Sequence, residues 1–403
     1  MNITNKDTTF EQCIKCTICT VYCPVAKVNP DFPGPKQCGP DGERLRIKSP
    51  EFYDDMLKYC TNCKRCETAC PSGVRIGDII AVARSQYGKK NINPKLLRDF
   101  ILSHTDLLGS LATPVAPVIN ATTQLPLIKK IMHKTIGVHD HKSLPKYSRH
   151  TFRHWFKKQV QDQSMYPRQI SYFHGCYVNY NHPQLGKDFI RVMNAINIGV
   201  RLLDKEKCCG VPMIANGFYK QARKNAEYNL HYLEQAIRQN SCAILSTSST
   251  CSFTLQEEYP HVLGINNETV ADKIHYVSRF LLKEFMNGNR PLMHPINKRI
   301  VYHTPCHLER SRGAIFTIEM LRMIPGLEVI VLNSECCGLA GTYGFKEENY
   351  TASILIGQNL FDKINRSEAD YVVTDCETCK WQIEENTNLP CIHPVSLLAK
   401  ALA

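Results

Sequence analysis

Residues 13–24 read CIKCTICTVYCP and residues 60–71 read CTNCKRCETACP. Both fit C-x-x-C-x-x-C-x-x-x-C-P without a departure. Three thiolates at successive three-residue spacing wrap one face of an iron–sulfur cubane, and the fourth, before proline, points away to a neighbouring cluster. The spacing therefore predicts two [4Fe-4S] clusters with crossed ligand sets: Cys13, Cys16, Cys19 with Cys70, and Cys60, Cys63, Cys66 with Cys23. The competing reading is a pair of zinc sites. Zinc takes two C-x-x-C halves across a longer loop and has no use for the third cysteine or the Cys-Pro ending.

Working outward, residues 24–59, 36 in all, separate Cys23 from Cys60, more than in a compact bacterial ferredoxin. The insert opens with the turn-rich PDFPGPKQCGPDGERLR and continues into EFYDDMLKYC, whose apolar residues have helical spacing. After Cys70, GVRIGDIIAVARSQYG reads as a helix with Ile79, Ile80 and Val82 on its apolar face and Gly88 as its stop. A helical ferredoxin domain over residues 1–90 is expected.

From about residue 168 short apolar runs alternate with helical stretches, and a repeat appears. The first copy carries Cys176, Cys208-Cys209-Gly210 and Cys251; the second carries Cys306, Cys336-Cys337-Gly338, Cys376 and Cys379. Residues 211–247 and 339–375, 37 in each case, separate Gly210 from Ser248 and Gly338 from Cys376, so Ser248 stands where the second copy has Cys376. QISYFHGC answers to RIVYHTPC, GVRLLDKEKCCG to GLEVIVLNSECCG, and CAILSTSSTC to DYVVTDCETC. Each copy reads strand, Cys, helix, strand, Cys-Cys-Gly, helix, strand, Cys. The fold class expected is α+β multidomain: the helical cluster domain, then a duplicated α/β domain (166–290 and 291–403) whose lobes pack about a pseudo-twofold axis. Adjacent cysteines bind or bridge different irons of a cluster, and Gly210 and Gly338 let the backbone turn sharply there. The five cysteines of the second copy favour a third cluster. The four of the first leave a cluster, a zinc ion or a degenerate site open. Cys38, Cys242 and Cys391 fall outside every motif and read as structural.

The segment 91–165 holds no ligand motif. Apolar clusters with Pro and Gly run over 96–136, and residues 129–158 hold nine basic residues (Lys129, Lys130, Lys134, Lys142, Lys146, Arg149, Arg153, Lys157, Lys158) against Asp140 as the one acid. That pattern suits a peripheral membrane contact, a partner face or a plain linker. Five histidines lie among them at irregular spacing and are not read as a metal site.

The composition agrees with bound metal in a reducing compartment. Twenty cysteines in 403 residues sit in tight runs and pairs instead of spread staples. The start MNITNKDTTFEQC has neither the basic nor the apolar region of a signal peptide. No run of 18 apolar residues predicts a transmembrane helix. The net charge of +12 comes without a nucleic-acid motif, so no nucleic-acid partner is expected. No G-x-G-x-x-G fingerprint follows a strand, so the chain is expected to carry no flavin or nicotinamide of its own.

With both modules in hand, the chain resembles the CCG-domain iron–sulfur family, which includes heterodisulfide reductase cluster subunits and the iron–sulfur subunits of glycolate and D-lactate oxidases. FEQCIKCTIC, GPKQCGPDGERLR, FHGCYVNYNHPQLGKD, KEKCCGVPMIANGF, CCGLAGTYGFKEENY and VVTDCETCKWQIE carry the likeness over essentially the whole chain. The resemblance is strongest to a branch working with a flavin-containing dimer that oxidises glycerol 3-phosphate. It implies a heterotrimer, electron delivery toward menaquinone, and anchoring of the dimer at the cytoplasmic face of the inner membrane, with no catalytic residue on the substrate in this chain. It also implies an unusual noncubane [4Fe-4S] cluster on Cys306, Cys336, Cys337, Cys376 and Cys379. The alternatives are an oxidase subunit for glycolate or D-lactate, a disulfide reductase acting at the CCG site, and a non-catalytic membrane scaffold.

Overall fold

The computed structural model describes residues 8–49, 55–87, 95–159 and 161–403. Within residues 8–87 the described chain is helical or irregular. Short turns of helix occupy Ile18–Val21 and Arg65–Thr68 inside the two cysteine runs, and α1 (Ile76–Tyr87) follows the second. The expected helix before Cys60 is a 3₁₀ turn, Asp55–Tyr59. The rest of that expectation and the Gly88 stop lie outside the described residues.

The segment 95–159 folds into helices α2 (Leu96–Ser103), α3 (Thr105–Ala112), α4 (Ala116–Thr122) and α5 (Pro126–Ile136). Its inner side is tied to the second repeat. Buried Arg98 donates to both carboxylate oxygens of Glu348 at 2.9 Å and to the Gly137 carbonyl at 3.1 Å, and the His139 N–H donates to the Phe345 carbonyl at 2.9 Å. Its outer side leaves Leu107, Leu111, Val115, Val118, Leu125, Leu127 and Ile131 exposed. Lys142 does not belong to that outer face. It is buried, bonded to Glu385 and Gln382, because an ammonium taken from water must be paired where it goes.

The repeats build two parallel sheets. The first holds β1 (Arg168–Tyr172), β2 (Ile198–Leu202), β3 (Ile244–Ser246) and β4 (Ile274–Tyr276) in the order β2-β1-β3-β4. The second holds β5 (Lys298–His303), β6 (Leu327–Val331), β7 (Tyr371–Thr374) and β8 (Cys391–Ile392) in the order β6-β5-β7-β8. The same order arises twice, as duplication requires. Strands β4 and β8 extend each sheet beyond the three read from sequence. Helices α6 (Pro183–Ala195), α7 (Tyr219–Arg238), α8 (Val277–Met286), α9 (Tyr350–Asn365), α10 (Glu377–Asn386) and α11 (Pro394–Ala401) lie among the strands. The central strands bury their carboxyl-terminal parts, Ile170–Tyr172 of β1 and Ile300–His303 of β5, while the edge strand β6 stays partly exposed. One core unites the lobes: Ile170, Tyr172 and Phe189 of the first pack in the same cluster as Ile300, Tyr302 and Leu398 of the second.

Candidate iron–sulfur centres

Two cavities gather the cysteines of the two crossed sets. Cys13, Cys16, Cys19 and Cys70 line one cavity of about 300 Å³ with Lys36 and Ile76. Cys23, Cys60, Cys63 and Cys66 line another of about 330 Å³. Left-handed backbone makes this possible. Lys15 and Thr17 flank Cys16 with φ of 59° and 61°, and Asn62 and Lys64 flank Cys63 with φ of 55° and 61°. Four non-glycine residues in that sparse region, at matched places, coil each run so that its three cysteines line one cavity.

The buried thiols Cys19, Cys23 and Cys66 are poor acids on their own. Burial pushes Cys19 and Cys66 up and Cys23 to about 12. A buried thiolate is costly unless a cation holds it, so these groups suit metal ligation and have little role as free thiols. Among the described residues no three cysteine sulfurs lie within 4.8 Å of one another. A tetrahedral zinc with bonds of about 2.3 Å would draw its sulfurs closer together than that.

The two sets differ in their surroundings. The first run faces outward, with Ile14, Val21 and Tyr22 more than half exposed and Cys16 exposed. The second is clamped by both lobes. Buried Lys64 is ion-paired with Asp78, Glu67 and Glu258. Asn62 Nδ2 donates to Glu258 at 2.6 Å, Arg310 reaches Glu67 at 3.0 Å, and Arg65 reaches Glu309 at 3.1 Å. Sequence reading did not single these out, since all but the Lys64 pairs with Glu67 and Asp78 join distant parts of the chain.

Beyond the second set, between the lobes, lies a larger cavity of about 980 Å³. Its wall includes Cys63, all four first-repeat cysteines (Cys176, Cys208, Cys209, Cys251) and all five of the second (Cys306, Cys336, Cys337, Cys376, Cys379). Parallel pairing explains the convergence. All strands of a sheet end at the same edge, and the cysteines follow the carboxyl ends of β1, β2, β3 and β5, β6, β7. In the first repeat Cys176 Sγ lies 3.9 Å from Cys208 Sγ, and Cys209 Sγ lies 3.5 Å from Cys251 Sγ. Hydrogen bonds from neighbouring thiols lower Cys208 and Cys337, and those same bonds, with burial, raise Cys176, Cys209, Cys336 and Cys379.

Gly210 and Gly338 turn at φ of 102° and 85°. A Cβ on Gly338 would lie 1.9 Å from the Ser353 carbonyl oxygen, so the motif glycine also lets α9 close in behind the sulfurs. Ser248 and Cys376 hold one structural place, each capping the helical turn that carries the next cysteine. Ser248 Oγ accepts from the Cys251 N–H at 3.2 Å, so it serves the backbone there. Asp106 of α3 accepts from the Cys208 N–H, and burial raises its carboxyl to about 7. No local signal in the sequence points to it. Cys38 and Cys391 are buried as expected of structural residues, whereas Cys242 is exposed.

Comparison with known proteins places these features in a family. A model described as a 4Fe-4S dicluster domain matches residues 9–74, and one described as a cysteine-rich domain matches 170–256 and 300–384. The chain is 54% identical over 397 residues to the C subunit of the anaerobic glycerol-3-phosphate dehydrogenase of Escherichia coli, covering 98% of this chain and 100% of that one. It is 26% identical to the B subunit of the fumarate reductase (CoM/CoB) of Methanothermobacter marburgensis, over 93% of this chain and 67% of that one. With the glycolate oxidase iron–sulfur subunit of Escherichia coli it shares 23% identity, over 98% and 95% of the two chains.

Proposed function

The chain belongs to the family of anaerobic glycerol-3-phosphate dehydrogenase C subunits, and from this we propose that it is the iron–sulfur electron-transfer subunit of such a dehydrogenase. In this reading flavin-containing partner subunits oxidise glycerol 3-phosphate, and this chain conducts the electrons toward menaquinone. The observation that carries it is the position of Cys63, which lines both the cavity of the second cysteine set and the cavity between the lobes. The sets thus follow one another from the surface inward: Cys13, Cys16, Cys19 and Cys70; then Cys60, Cys63, Cys66 and Cys23; then the CCG cysteines.

Bound iron–sulfur clusters supply one-electron oxidation and reduction with little change of shape. The chain's own residues fix their places and surroundings. Lys64, Asn62 and Arg65 hold the second run against both lobes, so the gap between its cysteines and Cys306 is set by folded structure. Burial around Cys23 and Cys66 limits water, which tunes a cluster's potential. Cys306, Cys336, Cys337, Cys376 and Cys379 would hold a third, noncubane [4Fe-4S] cluster. The first repeat, with Ser248 in the fifth place, would hold at most a four-sulfur site, for iron or zinc. The repeated strand order supports a pseudo-twofold relation between lobes 166–290 and 291–403, with 1–90 as the cluster domain and 91–165 as a separate contact segment.

Two surfaces suit the two ends of such a path. Exposed Ile14, Val21 and Tyr22 around the first set offer an apolar seat for a flavin-containing partner in a heterotrimer. The exposed apolar side of α3–α5, with Lys129, Lys130 and Lys134 beside it, suits peripheral attachment at the cytoplasmic face of the inner membrane. No helix among the described residues is long and apolar enough to cross a membrane.

The test is reconstitution with flavin-containing partner subunits, reading glycerol-3-phosphate-dependent reduction of a menaquinone analogue. The wild-type chain should support it. Cys63→Ser should abolish it while the flavin subunits still reduce an artificial dye. Equal quinone reduction with and without this chain would end the proposal.

A further inference from the structure

The five histidines of the 129–158 segment carry no motif, yet the fold gathers two of them with the segment's one acid. One ligand atom from each of His133, His139 and Asp140 lies within 4.8 Å of the other two. Asp140 Oδ1 is 3.6 Å from His133 Nδ1 and 3.6 Å from His139 Nδ1. Donor atoms around a tetrahedral zinc with bonds of about 2.0 Å stand roughly 3.3 Å apart, so small side-chain rotations complete the geometry.

Two details give the cluster a direction. The Asp140 N–H points at His133 Nδ1 and the His141 N–H at His139 Nδ1, each at 3.3 Å. Both Nδ1 atoms are therefore unprotonated, and their lone pairs now take these long N–H bonds, which a metal ion would replace. On its far side His133 Nε2 lies 3.4 Å from Glu347 Oε1. An imidazole with one nitrogen toward a shared site and the other toward a carboxylate is the arrangement by which proteins orient a histidine ligand on a metal.

We propose that His133, His139 and Asp140 bind one divalent transition-metal ion of the zinc class, with water in the fourth position and Glu347 orienting His133. Two imidazoles and a carboxylate match such an ion, whereas magnesium and calcium prefer oxygen donors throughout. The site lies where the contact segment meets the second repeat. Val138 pairs with Lys346 in an isolated antiparallel bridge, Glu347 N–H donates to the Gly137 carbonyl at 3.0 Å, and the His139 ring stacks on Tyr350 at 3.6 Å. The ion would clip the end of α5, and with it the exposed apolar helices, to the lobe bearing the five-cysteine motif. It is separate from every cysteine set and owes nothing to iron–sulfur chemistry.

The experiment uses the anaerobically prepared full chain with its iron complement, dialysed against micromolar Zn²⁺ and then counted for zinc and iron. Wild type should retain one zinc equivalent more than the His133→Ala, His139→Ala double variant, with iron equal in both. X-ray absorption at the zinc edge should assign only nitrogen and oxygen neighbours to the equivalent that is lost. Equal zinc in the two proteins, no zinc in wild type, or sulfur neighbours for the lost equivalent would overturn the site. If the double variant loses iron through misfolding, Glu347→Gln replaces it. That change keeps the shape and should weaken zinc binding about 10–100-fold; unchanged affinity would equally overturn the proposal.

Discussion

Cys63 and Cys306 face the same cavity, although one belongs to the N-terminal cysteine runs and the other opens the second CCG repeat. They are near enough that a charge on Cys63 adds to the burial that raises the Cys306 thiol. Replacing Cys63 with Ser tests which set it serves. The variant should lose about four irons per chain, those of the Cys60, Cys63, Cys66 and Cys23 set, while still assembling with its partners. Iron analysis and gel filtration read both outcomes, and an unchanged iron count would sink the assignment.

The two motif glycines should respond differently to alanine. Left-handed backbone costs a residue with a side chain about 1–2 kcal/mol, and both positions bear that cost. At Gly338 the new methyl would also overlap the Ser353 carbonyl, whereas at Gly210 the nearest atom, on Ala222, is at ordinary contact distance, 3.4 Å. Gly338→Ala should therefore lower the unfolding temperature clearly more than Gly210→Ala, with iron lost from the second repeat. Equal shifts in a thermal melt would contradict the packing described.

The tie between Arg98 and Glu348 gives a pH dependence. Burial alone would raise the Glu348 carboxyl, but hydrogen bonds from Arg98 and Lys95 hold it at about 2. A carboxyl depressed on folding contributes stability above its unfolded value, near 4.5, and loses it as pH falls toward 2. Wild type should be more stable than Glu348→Gln by a constant margin above about pH 5, with the margin shrinking below about pH 4.5. Because Glu348 is partly exposed, the margin should be modest, about 1–2 kcal/mol. Urea unfolding at several pH values measures it, and a margin that grows on acidification would refute the pairing.

Attachment to lipid should depend on the outer side of α3 and α5. Leu111 and Leu127 are 65% and 68% exposed. Burying a leucine yields about 1.5–3 kcal/mol, so Leu111→Asp with Leu127→Asp should weaken binding to anionic vesicles by at least about tenfold, even in high salt. Neutralising Lys129, Lys130 and Lys134 should cost about 1 kcal/mol each, and only at low salt. Cosedimentation unchanged in both variants would remove the membrane role of this segment.

Where the sequence was legible, the signal was local. The gathering of each crossed cysteine set at one cavity follows from spacing within two twelve-residue runs, and the two CCG repeats from matched cysteines and equal separations. The fourth strand of each sheet was harder to see, because β4 and β8 are only three and two residues long. The left-handed turns at Lys15, Thr17, Asn62 and Lys64 had no signal, since none is glycine. Lys142 read as one of a basic run but is buried, because its partners Gln382 and Glu385 lie more than 200 residues away in sequence. The cavity joining Cys63 to the CCG cysteines is a product of tertiary packing that no local spacing encodes, whereas His133, His139 and Asp140 meet across the left-handed turn at Gly137 that ends α5.

The most direct test of the whole account is anaerobic iron and acid-labile sulfide content with EPR of the reduced and oxidised chain. The account predicts about twelve irons, two spin-coupled cubanes, and a further signal distinct from both that belongs to the five-cysteine repeat. About eight irons with the coupled pair alone would contradict it, confining electron transfer to the N-terminal sets and leaving the cavity beyond Cys63 without an electron carrier.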